Sequence, residues 1–152
     1  MQIIRNQKIE TDAWQHVADQ DPVPAEGDVT VSLSRWTSER EALDARTGRT
    51  GVRLSPGDEP DAVLGDLAAL ALIAVEFPKF TDGRGYTTAR LLRERHGYQG
   101  ELRAIGHVLR DQLFYMHRVG FDAFELAPGK SLDDALEAFS EFSVTYQPVG
   151  AR

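Results

Sequence analysis

The sequence predicts a single α/β domain built on a mainly parallel sheet of about five strands, and three observations carry that prediction. From Val29 onward, five short β-type segments alternate with helical ones, and such alternation calls for parallel strands joined by right-handed crossovers. With 152 residues and 41% hydrophobic content, the chain can bury one sizeable core and is short for two. Gly48, Pro56, Pro60, Pro78, Gly97, Gly120 and Pro128 mark the joints between segments. An open doubly wound sheet and a half-barrel of similar units both satisfy this pattern.

Residues 1–28 read as an N-terminal arm and linker. Ile3, Ile4, Ile9, Trp14 and Val17 show no clean period, which fits a short hairpin packed against the domain or against a neighbouring subunit. Asp19–Gly27, with Pro22 and Pro24, leads into the α/β domain at 29–152. Its first strand is Val29–Ser34, where Val29, Val31 and Leu33 alternate with small polar residues. A helix over Thr37–Arg46 follows, capped by Ser38 with Glu41 completing a capping box. A short strand, Gly51–Leu54, precedes a Pro- and Gly-rich loop.

Next come a helix over Asp61–Ala69, a buried strand over Leu70–Glu76 and, after Pro78, an amphipathic helix over Tyr86–His96 that Gly97 stops. Glu101–Gly106 is a strand, Val108–Val119 a helix ended by Gly120, and Phe121–Leu126 the last strand. Ser131 caps a final helix whose Asp133 and Asp134 suit the positive end of its dipole.

Composition narrows the function classes. The longest apolar run, Leu67–Phe77, is broken by Glu76 and is about half the ~20 residues a membrane span needs. Met1–Arg5 shows no apolar signal region, so a cytoplasmic location is expected. There is no cysteine, hence no thiolate for an iron–sulfur cluster, a disulfide or redox attack. A net charge of −7 argues against nucleic-acid binding, which leaves a basic footprint. The charge is uneven, however. Lys79 to Arg118 holds eight basic residues against four acidic ones, a balance of +4 that leaves −11 on the remainder. That asymmetry suggests a site for an anion or an acidic partner, or arginines on exposed helix faces.

Ligands of such folds gather beyond the carboxyl ends of the strands. There, Phe80–Arg90 places Thr81, Asp82, Gly83, Arg84, Gly85, Tyr86, Thr87 and Thr88 before a helix start, where free amides favour an anion. It is neither a dinucleotide fingerprint, since Thr88 stands at the third glycine place, nor a Walker loop. A plain glycine turn explains it equally well. Arg103 lies inside the apolar strand Leu102–Gly106, so it needs a carboxylate or an anionic ligand. Asp111 is the nearest candidate partner, and Gln112 beside it can add amide hydrogen bonds.

The resulting candidates are Arg84, Gly85, Thr87, Arg90, Arg103 and Gln112 for an anion, and Asp82, Tyr86 and Asp111 for proton transfer. His107 and Asp111 are four apart, but with no third ligand at a metal spacing no metal is assigned; His96 and His117 belong to other turns. His16 carries no assignment. No cofactor is identified, and the Gly-x-Ser-x-Gly elbow of a hydrolase triad is absent.

The segment Phe77–Leu126, FPKFTDGRGYTTARLLRERHGYQGELRAIGHVLRDQLFYMHRVGFDAFEL, resembles a bacterial family, domain-of-unknown-function family 934. Leu33-Ser34-Arg35-Trp36, Gly51-Val52-Arg53-Leu54 and Asp66–Glu76 extend the resemblance over most of the chain beyond the arm. Members are labelled oxidoreductases of sulfite reduction, and the family offers no established catalytic residues. His107 departs from it, standing where many members carry an acidic residue.

The resemblance implies a place in assimilatory sulfur metabolism beside sulfite reductase. Two functions follow as expectations. One is a non-enzymatic accessory that docks on sulfite reductase or aids sulfite delivery. The other is a small enzyme or binding protein for sulfite, sulfate or a phosphorylated metabolite. Convergence of Arg84, Arg90, Arg103 and Gln112 on one pocket would favour the second, and outward-facing arginines the first. A homodimer covering an open sheet edge is also compatible.

Overall fold

A computed structural model describes residues 1–79 and 83–145, the backbone alone for 140–145. Eight strands form one sheet: β1 (Gln2–Arg5), β2 (Lys8–Thr11), β3 (Gln15–His16), β4 (Val29–Ser32), β5 (Thr50–Leu54), β6 (Leu72–Phe77), β7 (Glu101–Gly106) and β8 (Ala123–Phe124). Their order is β2-β1-β8-β7-β6-β5-β4-β3. From β3 to β8 neighbours are parallel and consecutive, while β1 joins β8 and β2 antiparallel. Unreversed order with one crossover hand puts every helix on the same face. The sheet is therefore curled and half-barrel-like, and the doubly wound alternative falls away.

Chain length sets the curl. β2 and β3 lie at opposite ends of the strand order, about 33 Å apart if the sheet were flat. Only Asp12, Ala13 and Trp14 connect them, a reach of at most ~14 Å. The two ends must therefore approach, and the face away from the helices becomes concave.

The sheet has eight strands rather than about five. The three extra ones all lie in residues 1–28, where β3 has two residues and the β1–β2 turn uses Asn6 and Gln7 at positive φ (52° and 63°) instead of the glycine that usually signals such a turn. α1 spans Leu33–Asp44 and starts earlier than predicted: Ser32, not Ser38, is its cap, its Oγ accepting from the Arg35 amide at 3.2 Å.

A 3-10 segment covers Pro60–Ala69. α2 (Arg84–Arg90) runs on through a π turn to Arg95, α3 is Leu113–Val119 after a 3-10 turn at Arg110–Gln112, and α4 is Leu132–Thr145. Ser131 Oγ accepts from the Asp134 amide at the start of α4, as its sequence suggests.

Alternation sorts the strands into two faces. Val31, Val52, Leu54, Ile73, Val75, Leu102, Ala104 and Phe124 pack against Trp36, Leu43, Val63, Leu92, Leu113 and Met116 in the core between sheet and helices. The register then places Ser32, Arg53, Ala74, Arg103, Ala123 and Arg5 side by side across the concave face. Among the described residues, no helix is long and apolar enough to cross a membrane.

Candidate functional site

Arg103 is the hub of the concave face. It is 0% exposed, and its two Nη groups donate to the Asp12 carboxylate at 2.8 and 2.9 Å. Nη1 also donates to Glu125 at 2.7 Å and Nε to Glu101 at 2.8 Å. Arg5 extends the network, donating to Glu101 (2.9 Å), Glu10 (2.9 Å) and Asp12 (3.3 Å). A buried guanidinium is tolerated when its planar fork of donors is filled by carboxylates, and here that condition is met.

A second chain of bonds leads from Glu125 to the sheet's other edge. His16 Nε2 lies 2.7 Å from Glu125 Oε2, and its Nδ1 lies 2.5 Å from Thr30 Oγ1. Arg53 Nη1 donates to Thr30 Oγ1 at 2.9 Å and to the Thr30 carbonyl at 2.8 Å, while Nη2 donates to the Val17 carbonyl at 2.8 Å. Arg53 and His16 meet on the same Thr30 hydroxyl, and His16 bridges it to Glu125. β8 and β3, five places apart in the strand order, are thus joined across the inside of the curl.

These contacts set the acid limit of the fold. Burial pushes the Asp12 and Glu125 carboxyls up; for Asp12 the hydrogen bonds and charge of Arg103, and for Glu125 those of His16 and Arg103, outweigh it and leave both below the usual range. Arg49 lowers Asp28 in the same way. A carboxylate lowered by folding contributes stability that is present above its unfolded pKa and lost as pH falls through the folded value. Asp122, raised mainly by burial, opposes the trend. The unfolding free energy is therefore expected to fall steadily below about pH 4. Urea titrations at successive pH values check this, and a flat profile down to pH 2.5 would contradict it.

Among the described residues, those singled out from sequence do not converge on one site. Arg103 is in the concave network, and its partners are Asp12, Glu101 and Glu125 in place of the expected Asp111, which is exposed on the 3-10 turn before α3. The physical reason is pleat: Arg103 points away from the helices, whereas Asp111 belongs to their layer. Gln112 caps that turn, its Oε1 accepting from the Leu109 amide at 3.2 Å. On α2, Thr87 Oγ1 donates to the Gly83 carbonyl at 3.4 Å, and Arg90 lies 3.8 Å from Glu94 on the surface.

Gly85 serves packing, because a Cβ there would sit 2.5 Å from the Phe77 ring. Asp82, with Phe80 and Thr81, lies outside the described residues. His107 does not share a helix face with Asp111, and among the described residues no group of three His, Asp or Glu side chains is placed to hold a metal ion.

Arg84 and Thr87 do line a cleft of about 610 Å³, but Asp58, Glu59 and Asp61 form its other wall. Three carboxylates facing one guanidinium disfavour a doubly charged anion. Sequence reasoning missed Arg5, Asp12, His16, Thr30, Arg53 and Glu125. Arg53 carries the same signal as Arg103, a charge inside an apolar strand, whereas nothing local marks Asp12 or His16.

The helical side presents a different feature. Tyr115 on α3 is 47% exposed and, with Met1, is one of two exposed large apolar side chains among the described residues. Its ring meets Tyr86 of α2 edge-on at 4.9 Å, and Tyr86 rests on Phe77 at 5.2 Å. Arg90 and Arg118, both exposed, lie about one turn beyond Tyr86 and Tyr115 on helices that run parallel. The Tyr pair is thus flanked by two arginines.

A curled, singly wound α/β sheet with a closed ionic network inside and an aromatic–arginine strip outside defines the class of protein. Within that class, the family described as "Bacterial protein of unknown function (DUF934)" matches residues 51–152, and the chain belongs to it. Comparison with curated proteins finds no match.

Proposed function

We propose that this protein is an accessory of assimilatory sulfite reduction that acts by docking on sulfite reductase through the α2–α3 face. The observation that carries the reading is the Tyr86–Tyr115 pair flanked by Arg90 and Arg118 on a chain of net charge −7. Tyrosine and arginine are the residues that dominate protein–protein hot spots. The concentration of positive charge in residues 79–118 steers that face, and not the acidic remainder, toward an acidic partner surface. Arg103 adds nothing to an oxyanion site, since its donors are already spent on carboxylates. That favours docking over the phosphometabolite enzyme.

The test is equilibrium binding of the full chain to the sulfite reductase holoenzyme of the same organism. Tyr115→Ala is expected to weaken binding roughly 30-fold, as loss of a hot-spot residue does. Arg118→Glu should weaken it further at low salt than at high salt. Failure of the wild type to bind, or equal binding by Tyr115→Ala, would remove the proposal.

A further inference from the structure

The segment that joins the two sheet ends is held by side-chain charge more than by backbone pairing. β3 is two residues long, against six in β6 and in β7. On either side of residues 12–16, Ile9 and Val17 pack on the core between sheet and helices. Within them, alternation turns Asp12, Trp14 and His16 toward the concave face. The hold on each of the three runs through a carboxylate. Asp12 accepts from Arg103 and Arg5. The Arg49 guanidinium carbon lies 5.1 Å from the Trp14 ring centroid, and Asp28 grips Arg49 at 2.8 and 3.2 Å. His16 reaches Glu125 at 2.7 Å.

Protonation of these carboxylates leaves cations facing one another. Once Asp12 and Glu125 are neutral, Arg103, which is 0% exposed, keeps only Glu101 of its three carboxylate partners, and Arg5 opposes it with like charge. A buried guanidinium short of its partners costs several kcal/mol, and parting the sheet ends lets water reach it. The charged and titratable groups facing the Asp12–Glu125 pair are Arg5 from β1, Glu10 from β2, His16 from β3, and Glu101 and Arg103 from β7, with Arg53 of β5 farther off. The apolar side chains buried on this face, Ile3, Leu72, Ala74 and Ala123, do not belong to the core between sheet and helices. Opening the concave face therefore leaves the larger core in place.

We propose that residues 12–16 form an acid-released latch: as Asp12, Asp28 and Glu125 take up protons, the segment leaves the concave face and the curl opens while the core between sheet and helices stays folded. Folding keeps all three carboxyls below their usual range. Burial opposes this at Asp12 and Glu125 and is outweighed by Arg103 and His16, whereas at Asp28 the hydrogen bonds of Arg49 lead. The latch is therefore held above the ordinary carboxyl values and released as pH falls through the lowered ones, below about pH 4. It is separate from the α2–α3 face and does not depend on docking.

The chain's two tryptophans report the two regions separately, Trp14 in the latch and Trp36 in the core. Acrylamide quenching of the full chain is followed as the pH is lowered, in Trp36→Phe, which leaves Trp14, and in Trp14→Phe, which leaves Trp36. Trp14 is expected to become severalfold more quenchable at a pH where Trp36 is still shielded and circular dichroism is unchanged. Asp12→Asn, which offers Arg103 no charge, should expose Trp14 already at pH 7 with Trp36 still shielded. Should that variant fail to fold, hydrogen exchange of the wild type, corrected for the pH dependence of the chemical step, decides: residues 12–16 must lose protection before β6 and β7. The proposal is overturned if both tryptophans become quenchable at the same pH, if residues 12–16 keep their protection as long as β6, or if folded Asp12→Asn shields Trp14 at pH 7 as well as the wild type does.

Discussion

Replacing Arg103 with methionine is expected to destabilise the protein by about 3–5 kcal/mol, the usual result of removing one partner from a buried ionic cluster. The substitution keeps the bulk but strands Asp12, Glu101 and Glu125, the first two of which would then retain only Arg5 as a cation. Lysine in the same place should recover only part of the loss. Its ammonium is a point charge and cannot offer the paired Nη donors that grip Asp12 at 2.8 and 2.9 Å.

In a protein of this size the loss corresponds to roughly 10 °C in the unfolding midpoint, which circular dichroism reads directly. Because Asp12 sits in the three-residue link that holds the sheet ends together, hydrogen exchange in β3 should also quicken in the variant. An unchanged midpoint would mean that the network is not what closes the curl.

Trp36→Ala is expected to cost about 3–5 kcal/mol through the cavity it leaves. The indole is 1% exposed and belongs to the core between sheet and helices. Its Nε1 donates to Asp66 Oδ2 at 3.0 Å, and the Arg40 guanidinium lies 5.5 Å from the ring centroid while also pairing with Asp66. One side chain therefore fastens α1 to the 3-10 segment by apolar contact and a hydrogen bond, and Arg40 of the same helix, stacked on its ring, pairs with the same Asp66. Trp36→Phe keeps most of the burial and forfeits the bond to Asp66, so it should cost distinctly less. Urea unfolding of the two variants separates packing from hydrogen bonding, and equal losses would assign the whole effect to the indole N–H.

The α/β alternation from Val29 onward was readable because each element there carries a local signal. Glu101–Gly106 was bounded to the residue, and Ser131 was the cap of the last helix. The start of α1 differs from the sequence expectation because serines at 32 and 38 both suit a cap by residue type, and in the fold Ser32 takes that place while Trp36 is buried on the first turn. The N-terminal strands were not readable as sheet members. A two-residue strand has no period, and a turn through Asn6 and Gln7 lacks its glycine.

What the sequence by itself determined was the class of fold, the family and the need of Arg103 for a compensating charge. The partner of Arg103 was a tertiary decision. Asp111, eight residues on, is the candidate a local search returns, whereas Asp12 and Glu125 stand 91 and 22 residues away. The reason is the curl itself. A three-residue link between the two ends of an eight-stranded sheet bends one face inward, and polar side chains from several strands, from that link and from Glu125 just past β8 meet there. Contacts of that kind depend on how the sheet closes, which no local pattern of residues encodes.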